Sequence, residues 1–421
     1  MLMMPRTLVV TNTSQLVTVA ERDVEGARGT LRAIEDGALA AREGRIVWVG
    51  PRAALPAALA AEADVLDAGG RLVIPGFVDA HTHPIFAGQR AEEFCARALG
   101  QPYQELLARG DAGIMSTVRA TRAASEDELL HLARAWARSF LRHGTTTIEA
   151  KTGYGLSPAD EEKSLRVLER LQGQTPLGLV PTYLGAHLVP VEYREDPEAY
   201  VRLLLEEMLP RATGRAVFCD VFCDQGAFTV EQARRILRRA QELGLAPRLH
   251  ADELANVGAA RLAAELHAAS ADHLVHVDDQ GMEALARAGT VATLLPGTTF
   301  SLASDRYAPA RRMVAHGLTL ALATDCNPGT CYTENMAMVI TLALLKLKLT
   351  AEEALRAATL GGAYSLRRQD DIGSLEVGKR CDVAVLDAHI YQEIPYHFGV
   401  NLVRAVVVGG ELVVDEASTP A

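Results

Sequence analysis

Hydrophobic and polar positions change rhythm along the chain. Near both ends, short β-rich runs break at turn residues: TLVVTN and GRIVWVG at the start, CDVAVLD and LVRAVVVGGELVVD at the finish. Such runs predict strands. The middle alternates instead between strand-like runs and helical stretches. The strand-like runs are FVDAHTH (77–83), TTTIEAKTG (145–153), LGLVPTYLGAH (177–187), AVFCDVFCD (216–224), APRLHADE (246–253), ADHLVH (271–276), VATLLPGTT (291–299) and LTLALATD (318–325). Helix signals lie between them. Ser125 and Glu128 form a capping box in a stretch that ends at Gly144. Ser157 caps a helix with Pro158 at its first position, and Thr229 pairs with Gln232 in a helix that stops at Gly244.

Eight strands separated by helices predict an α/β fold, a closed parallel (β/α)8 barrel. A doubly wound open sheet is the alternative, but no G-x-G-x-x-G follows the first strand. The similar ends predict one β-rich domain from residues 1–70 plus 371–421, with the barrel spanning 71–370. The long stretch between the first two strands predicts extra helices over the barrel mouth.

Composition narrows the partners. A barrel takes roughly 250 residues, which a chain of 421 accommodates with room for a second domain. The net charge of −11 argues against nucleic acid, whose phosphates need a basic face. It leaves an anionic small substrate open, because distant charges are screened within about 10 Å. The start, MLMMPRTLVV, does not read as a signal peptide, and no apolar run reaches the roughly 18 residues of a membrane span. The six cysteines form no CxxC pair and read as reduced thiols of a cytoplasmic protein.

The chemistry gathers at strand ends. Side chains alternate along a strand, so Asp79, His81 and His83 share a face. In a barrel that face looks inward near the C-terminal mouth, where active sites sit. His250, His273 and Asp325 end other strands, and the small Ala321 and Ala323 below Asp325 leave room for an ion. Imidazoles and a carboxylate suit zinc or iron(II) with an open position for water. Arg90 is a candidate grip for a substrate carboxylate, since a guanidinium can bind one bidentately. Tyr154 and His187 follow strands two and three, placed to hydrogen-bond a ring. Asn327, Gly329 and Thr330 in CNPGT offer donors to a polar end of substrate.

VIPGFVDAHTHP, followed much later by GSLEVGKRCDVAVLD, resembles the amidohydrolase superfamily. HPIFAGQRAEEF, EAKTGYGL, PTYLGAH, HADE and TDCNPGTCYTENM resemble its branch that opens the imidazolone ring in histidine degradation. The resemblance implies a barrel joined to a small β-sandwich made from both ends. It implies His81, His83, His250 and Asp325 as ligands of one zinc or iron ion. Relatives that bridge two metals use a lysine on strand four, which AVFCDVFCD lacks, so a mononuclear site is implied. Lys151, on strand two, reads as supporting the site or facing substrate. The implied reaction is hydrolysis of the cyclic amide of 4-imidazolone-5-propanoate by a cytoplasmic homodimer. Its catalytic residues would be Glu253, His273 and Asp325, with Glu253 also contacting substrate. Strand parity favours Asp252 over Glu253 unless the chain bends after His250, so Asp252 stays the rival. Two other functions stand beside this one: a deaminase acting on a heterocyclic amine, and a scaffold of the same fold without activity.

Other histidines need no function. His143 sits at a helix C-terminus, where a cation meets the dipole favourably. His131, His267 and His316 fall in helical stretches, His276 lies beyond His273, and His389 and His397 are in the C-terminal β region.

Overall fold

The computed structural model describes residues 7–61, 63–100 and 113–416. One sheet holds eight strands in chain order: Phe77–Asp79, Thr145–Lys151, Gly178–Ala186, Phe218–Cys223, Ala246–Ala251, Ser270–His273, Val291–Leu294 and Leu320–Leu322. Each falls within, or overlaps, one of the eight strand-like runs. Every pairing from the third strand to the eighth is parallel. The ends of the sheet are brought together beyond the last ladder residues. Thr82 bridges Cys326 in parallel fashion. The His83 N–H donates to the Cys326 carbonyl at 2.9 Å, and the Asp325 N–H donates to the His81 carbonyl at 3.0 Å. This seam sets His81 and His83 beside Asp325, which is 244 and 242 residues away in sequence.

All seven residues of Thr145–Lys151 are buried, without alternation. A strand covered on both faces reads this way, and it is typical of parallel α/β sheets. The helices start where their caps predict. Ser125 and Glu128 bond reciprocally, Ser157 accepts from the Asp160 N–H, and Thr229 with Gln232 completes a second capping box. Helices Ala91–Ala98, Ile114–Ala123 and Glu126–Arg142 fill the described part of the long first connection.

The second sheet draws strands from both ends: Thr7–Val17, Ala33–Glu35, Gly37–Arg42, Arg45–Pro51, Asp64–Pro75, Val383–Leu386, Val403–Val408 and Glu411–Asp415. It is mixed, since Thr7–Val17 pairs in parallel with Asp64–Pro75 and its other pairings are antiparallel. Its core joins Leu8, Val10, Leu39 and Ile46 to Val383, Val385 and Val407. By packing, the chain divides into a unit of 1–79, 138–147 and 335–421 and a unit of 80–137 and 148–334. We propose the division by sheet, 1–70 with 371–421 against 71–370, as the domain organisation. No helix among the described residues is long and apolar enough to cross a membrane.

Candidate active site

The strand ends do not run straight into the mouth. Asp252, His273, Leu274 and Asp325 all have positive φ, between 51° and 72°. This left-handed region is uncommon for residues other than glycine. The chain turns at each of these points, and the turns bring side chains from four strands onto one spot.

His81 and His83 face each other through Nε2 atoms 3.3 Å apart. Asp325 Oδ1 lies 3.5 Å from His81 Nε2 and 3.3 Å from His83 Nε2. The His250 ring is 4.5 Å from that of His81, centroid to centroid, and the His273 ring 5.2 Å from that of His250. Ligand atoms of His81, His83 and His250 lie within 4.8 Å of one another, as do those of His81, His273 and Asp325. His81 Nδ1 is 2.7 Å from Asp272 Oδ2, and His250 Nδ1 is 2.9 Å from Asp220 Oδ2. Each carboxylate accepts from an Nδ1–H, which leaves the Nε2 lone pair facing the cluster. Neutral imidazoles with one nitrogen held by a carboxylate are the donor form a metal requires. Burial, with Lys151 and the other imidazoles, holds His81 well below the ordinary histidine range. Burial lowers His250 as well, partly offset by Asp220. Burial alone would raise Asp325, but the imidazoles of His83 and His273 and the Thr298 hydroxyl bring it down to about 2. Thr298 donates to Asp325 Oδ2 at 2.6 Å. The donor set therefore fits a metal ion.

One step down the strands lies a floor of fully buried charges. Lys151 Nζ sits 2.6 Å from Asp220, 2.9 Å from Glu149 and 3.9 Å from Asp272. Arg248 Nε is 2.9 Å from Glu149, and its Nη2 is 3.3 Å from Asp272 and donates to the Ala80 carbonyl at 2.8 Å. Lys151 is thus held within this floor, off the cavity wall. Motif reading passed over Arg248, Glu149, Asp220 and Asp272. Their inward strand positions were the available signal.

The turn at Asp252 separates the two rival acids. Its carboxylate accepts from the N–H groups of Val257, Gly258, Ala259 and Ala260 at 3.0–3.1 Å, fixing the start of helix Ala259–Glu265. Glu253 instead lines the cavity, its Oε1 3.7 Å from His273 Nδ1. Asp224 holds the segment by accepting from the N–H groups of Glu253, Leu254 and Ala255. Burial above all, reinforced by Asp325 and Asp224 against the opposing pull of His273, pushes the Glu253 carboxyl up to about 7.

The cavity holds about 100 Å³ and is walled by His83, Arg90, Tyr154, His187, His250, Glu253, His273, Asp325, Asn327 and Thr330, with Ile114, Leu188, Phe222, Gln225 and Leu254. His187 Nδ1 donates to the Gly153 carbonyl at 3.0 Å, so its Nε2 is an acceptor, and its ring stacks on His83. Tyr154 both lines the cavity and packs with Phe86, Ile114, Val118 and Leu156. Arg90 is ion-paired to Glu93 through Nε and Nη2. Gly329 is off the cavity wall. A Cβ there would lie 2.1 Å from Arg90 Nη1, so only glycine leaves the guanidinium its place. Asn327 uses its side chain on its own turn, accepting from the Gly329 and Thr330 N–H groups and donating to the Asp325 carbonyl. The donors expected of Asn327 and Gly329 are in this way committed to shaping the loop.

The remaining histidines behave plainly. His143 Nδ1 lies 2.9 Å from the Ser139 carbonyl at a helix end, and His316 pairs with Asp279 at the surface. His276 is not on strand six, which ends at His273.

A model of the amidohydrolase family matches residues 72–413. The chain is 51% identical over 420 residues to an imidazolonepropionase of Symbiobacterium thermophilum, covering 98% of this chain and 99% of that one. It is 49% identical over 410 residues to an imidazolonepropionase of Myxococcus xanthus, covering 97% of each. Among solved structures, it resembles a zinc-bound adenosine deaminase from Xanthomonas campestris (TM-score 0.72, 20% identity, 98% of this chain and 94% of that one). It also resembles the guanine deaminase of E. coli (TM-score 0.72, 19% identity, 97% and 99%). At such identities the deaminases speak for the fold alone. The family and the His/Asp cluster together point to a divalent metal.

Proposed function

This chain belongs to the amidohydrolase family, and from that premise we infer that it hydrolyses the cyclic amide C–N bond of 4-imidazolone-5-propanoate. The product is N-formimidoyl-L-glutamate, and the step belongs to histidine degradation. The observation that carries this reading is one cavity lined by both Glu253 and Arg90 beside a metal-fitting cluster. A deaminase releasing ammonia from a ring has little use for a carboxylate grip.

We assign His81, His83, His250 and Asp325 to a single ion, zinc or iron. When bound, it lowers the pKa of a water towards about 7 and polarises the lactam carbonyl. Glu253, with its carboxyl near 7, takes a proton from the attacking water. It returns that proton to the ring nitrogen as the C–N bond breaks and the carbonyl carbon becomes a carboxylic acid, which loses its remaining proton to solvent. His273 orients the water, and the ionised Asp325 accepts a hydrogen bond from it. Arg90, on the cavity wall, receives the propionate. Tyr154 and His187 bind the ring, and Thr330, on the loop shaped by Asn327 and Gly329, borders its polar edge. The protein we propose is cytoplasmic and homodimeric, the dimer resting on family resemblance.

The test is turnover by the purified, metal-loaded protein of imidazolone propanoate against purine and pyrimidine amines. Ring opening of the imidazolone alone supports the reading. Ammonia release from the amines, or no turnover after zinc or iron loading, overturns it.

A further inference from the structure

Asp220 and Asp272 each stand between an imidazole and a floor cation. Asp220 Oδ2 meets both His250 Nδ1, at 2.9 Å, and Lys151 Nζ, at 2.6 Å. Asp272 Oδ2 meets His81 Nδ1 at 2.7 Å, Arg248 Nη2 at 3.3 Å and Lys151 Nζ at 3.9 Å. Glu149 ties the two cations together at 2.9 Å each. Thr182 on strand three also donates to Glu149. The groups come from strands two, four, five and six, and none of the five charged side chains is exposed to solvent. A carboxylate held only by an imidazole could swing about its own side-chain bonds. One clamped from below by an ammonium or guanidinium cannot, and the imidazole it holds is then fixed in direction and tautomer.

We propose that Lys151, Glu149 and Arg248 are positioning residues for the metal centre. They lock Asp220 and Asp272, and through them aim the Nε2 atoms of His250 and His81. Lys151 is thereby given a task that is neither bridging nor substrate binding. The inference rests on the assignment of His81 and His250 as ligands. It goes beyond that assignment by placing the control of ion affinity behind the carboxylates that hold the ligands.

A merely structural floor would stabilise the folded chain with and without metal to the same degree. A positioning floor also sets the gap between the two, because a ligand that binds only the folded state stabilises it according to its affinity. The experiment uses the full-length protein and zinc as the probe. Zinc affinity is measured by chelator competition, and melting temperature is measured for apo and zinc-loaded forms of wild type, Lys151→Met and Glu149→Gln. Changes at groups that orient metal ligands typically cost about 10–100-fold in affinity. Lys151→Met should therefore bind zinc at least about tenfold more weakly, with the apo-to-loaded melting gap narrowed. Glu149→Gln, nearly isosteric, should show the same sign with less disturbance, and it carries the test if Lys151→Met does not fold. Leu237→Ala, in the buried face of the outer helix Val230–Glu242, serves as the control and should lower both melting temperatures together. Wild-type zinc affinity and an unchanged gap in both floor variants would overturn the inference. A wild-type protein that takes up neither zinc nor iron would instead overturn the assignment of the ligands themselves.

Discussion

At the barrel mouth the ionisable groups are poised, whereas on the floor beneath they are fixed. Glu253 finds its nearest basic neighbour, His273, only at 3.7 Å, and burial leaves its carboxyl near 7. Burial also lowers the imidazoles of His81, His187 and His250, so that they stay neutral. On the floor the balance reverses. Burial would lower Lys151, but Asp220 and Glu149 outweigh it and raise it. Arg248 rises for the same kind of reason, through Glu149, Asp272 and Asp220. Asp220 falls well below the carboxylate range because His250 and Lys151 overcome its burial. Glu149, which has Asp272 and Asp220 nearby as well as its two cations, is the floor carboxyl that burial still pushes up. The floor is fully buried and the mouth nearly so. What differs is the number of opposite charges per group, and that number decides whether a buried site can change its protonation near neutral pH.

The sharpest way to break this contrast is Glu253→Gln. Loss of a proton-transfer group costs about 10²–10⁴-fold in rate, so turnover should fall by that factor while metal content and melting temperature hold. A large loss of stability would make Glu253 a floor-type residue. Glu149→Ala should do the reverse. It strips partners from two buried cations, a class of change that costs about 3–5 kcal/mol, readable as a shifted urea midpoint. Arg90→Lys comes next. Losing charged hydrogen bonds worth about 1.5–3 kcal/mol should raise KM about 10–100-fold, leaving kcat and bound metal near wild type. The mildest effect is of pH. The free enzyme needs Glu253 ionised to accept a proton, and a carboxyl at about 7 is protonated below that. The value of kcat/KM should thus drop as pH falls through about 7, by about tenfold per unit, and this limb should vanish in Glu253→Gln. A flat profile in the parent protein would place the essential base elsewhere.

The mouth was largely legible in the sequence. Period-two alternation put His81 with His83, and independent strand ends supplied His250, His273 and Asp325. The choice between Asp252 and Glu253 was not legible by parity, because a positive φ of 51° at Asp252 ends the alternation one residue early. The family motif pointed to Glu253, which lines the cavity, where the strand rule pointed to its neighbour. The floor escaped notice for another reason. Arg248 looks like any residue of APRLH until its partners appear, and Glu149 and Asp272 lie 99 and 24 residues away. Nothing in local pattern announces such a pairing. The Arg90–Glu93 ion pair, three residues apart on one helix start, was within reach of spacing rules. Thr298, which steadies Asp325, came from a segment read only as the tail of strand seven.

The bend at Asp252 has a consequence for anyone transplanting this chemistry. His-Ala-Asp-Glu grafted onto a straight strand of another barrel would deliver the histidine and aim the glutamate into the wall. The graft must bring along the four amide groups from Val257 to Ala260 that seat the aspartate, because that small socket turns the glutamate into the cavity.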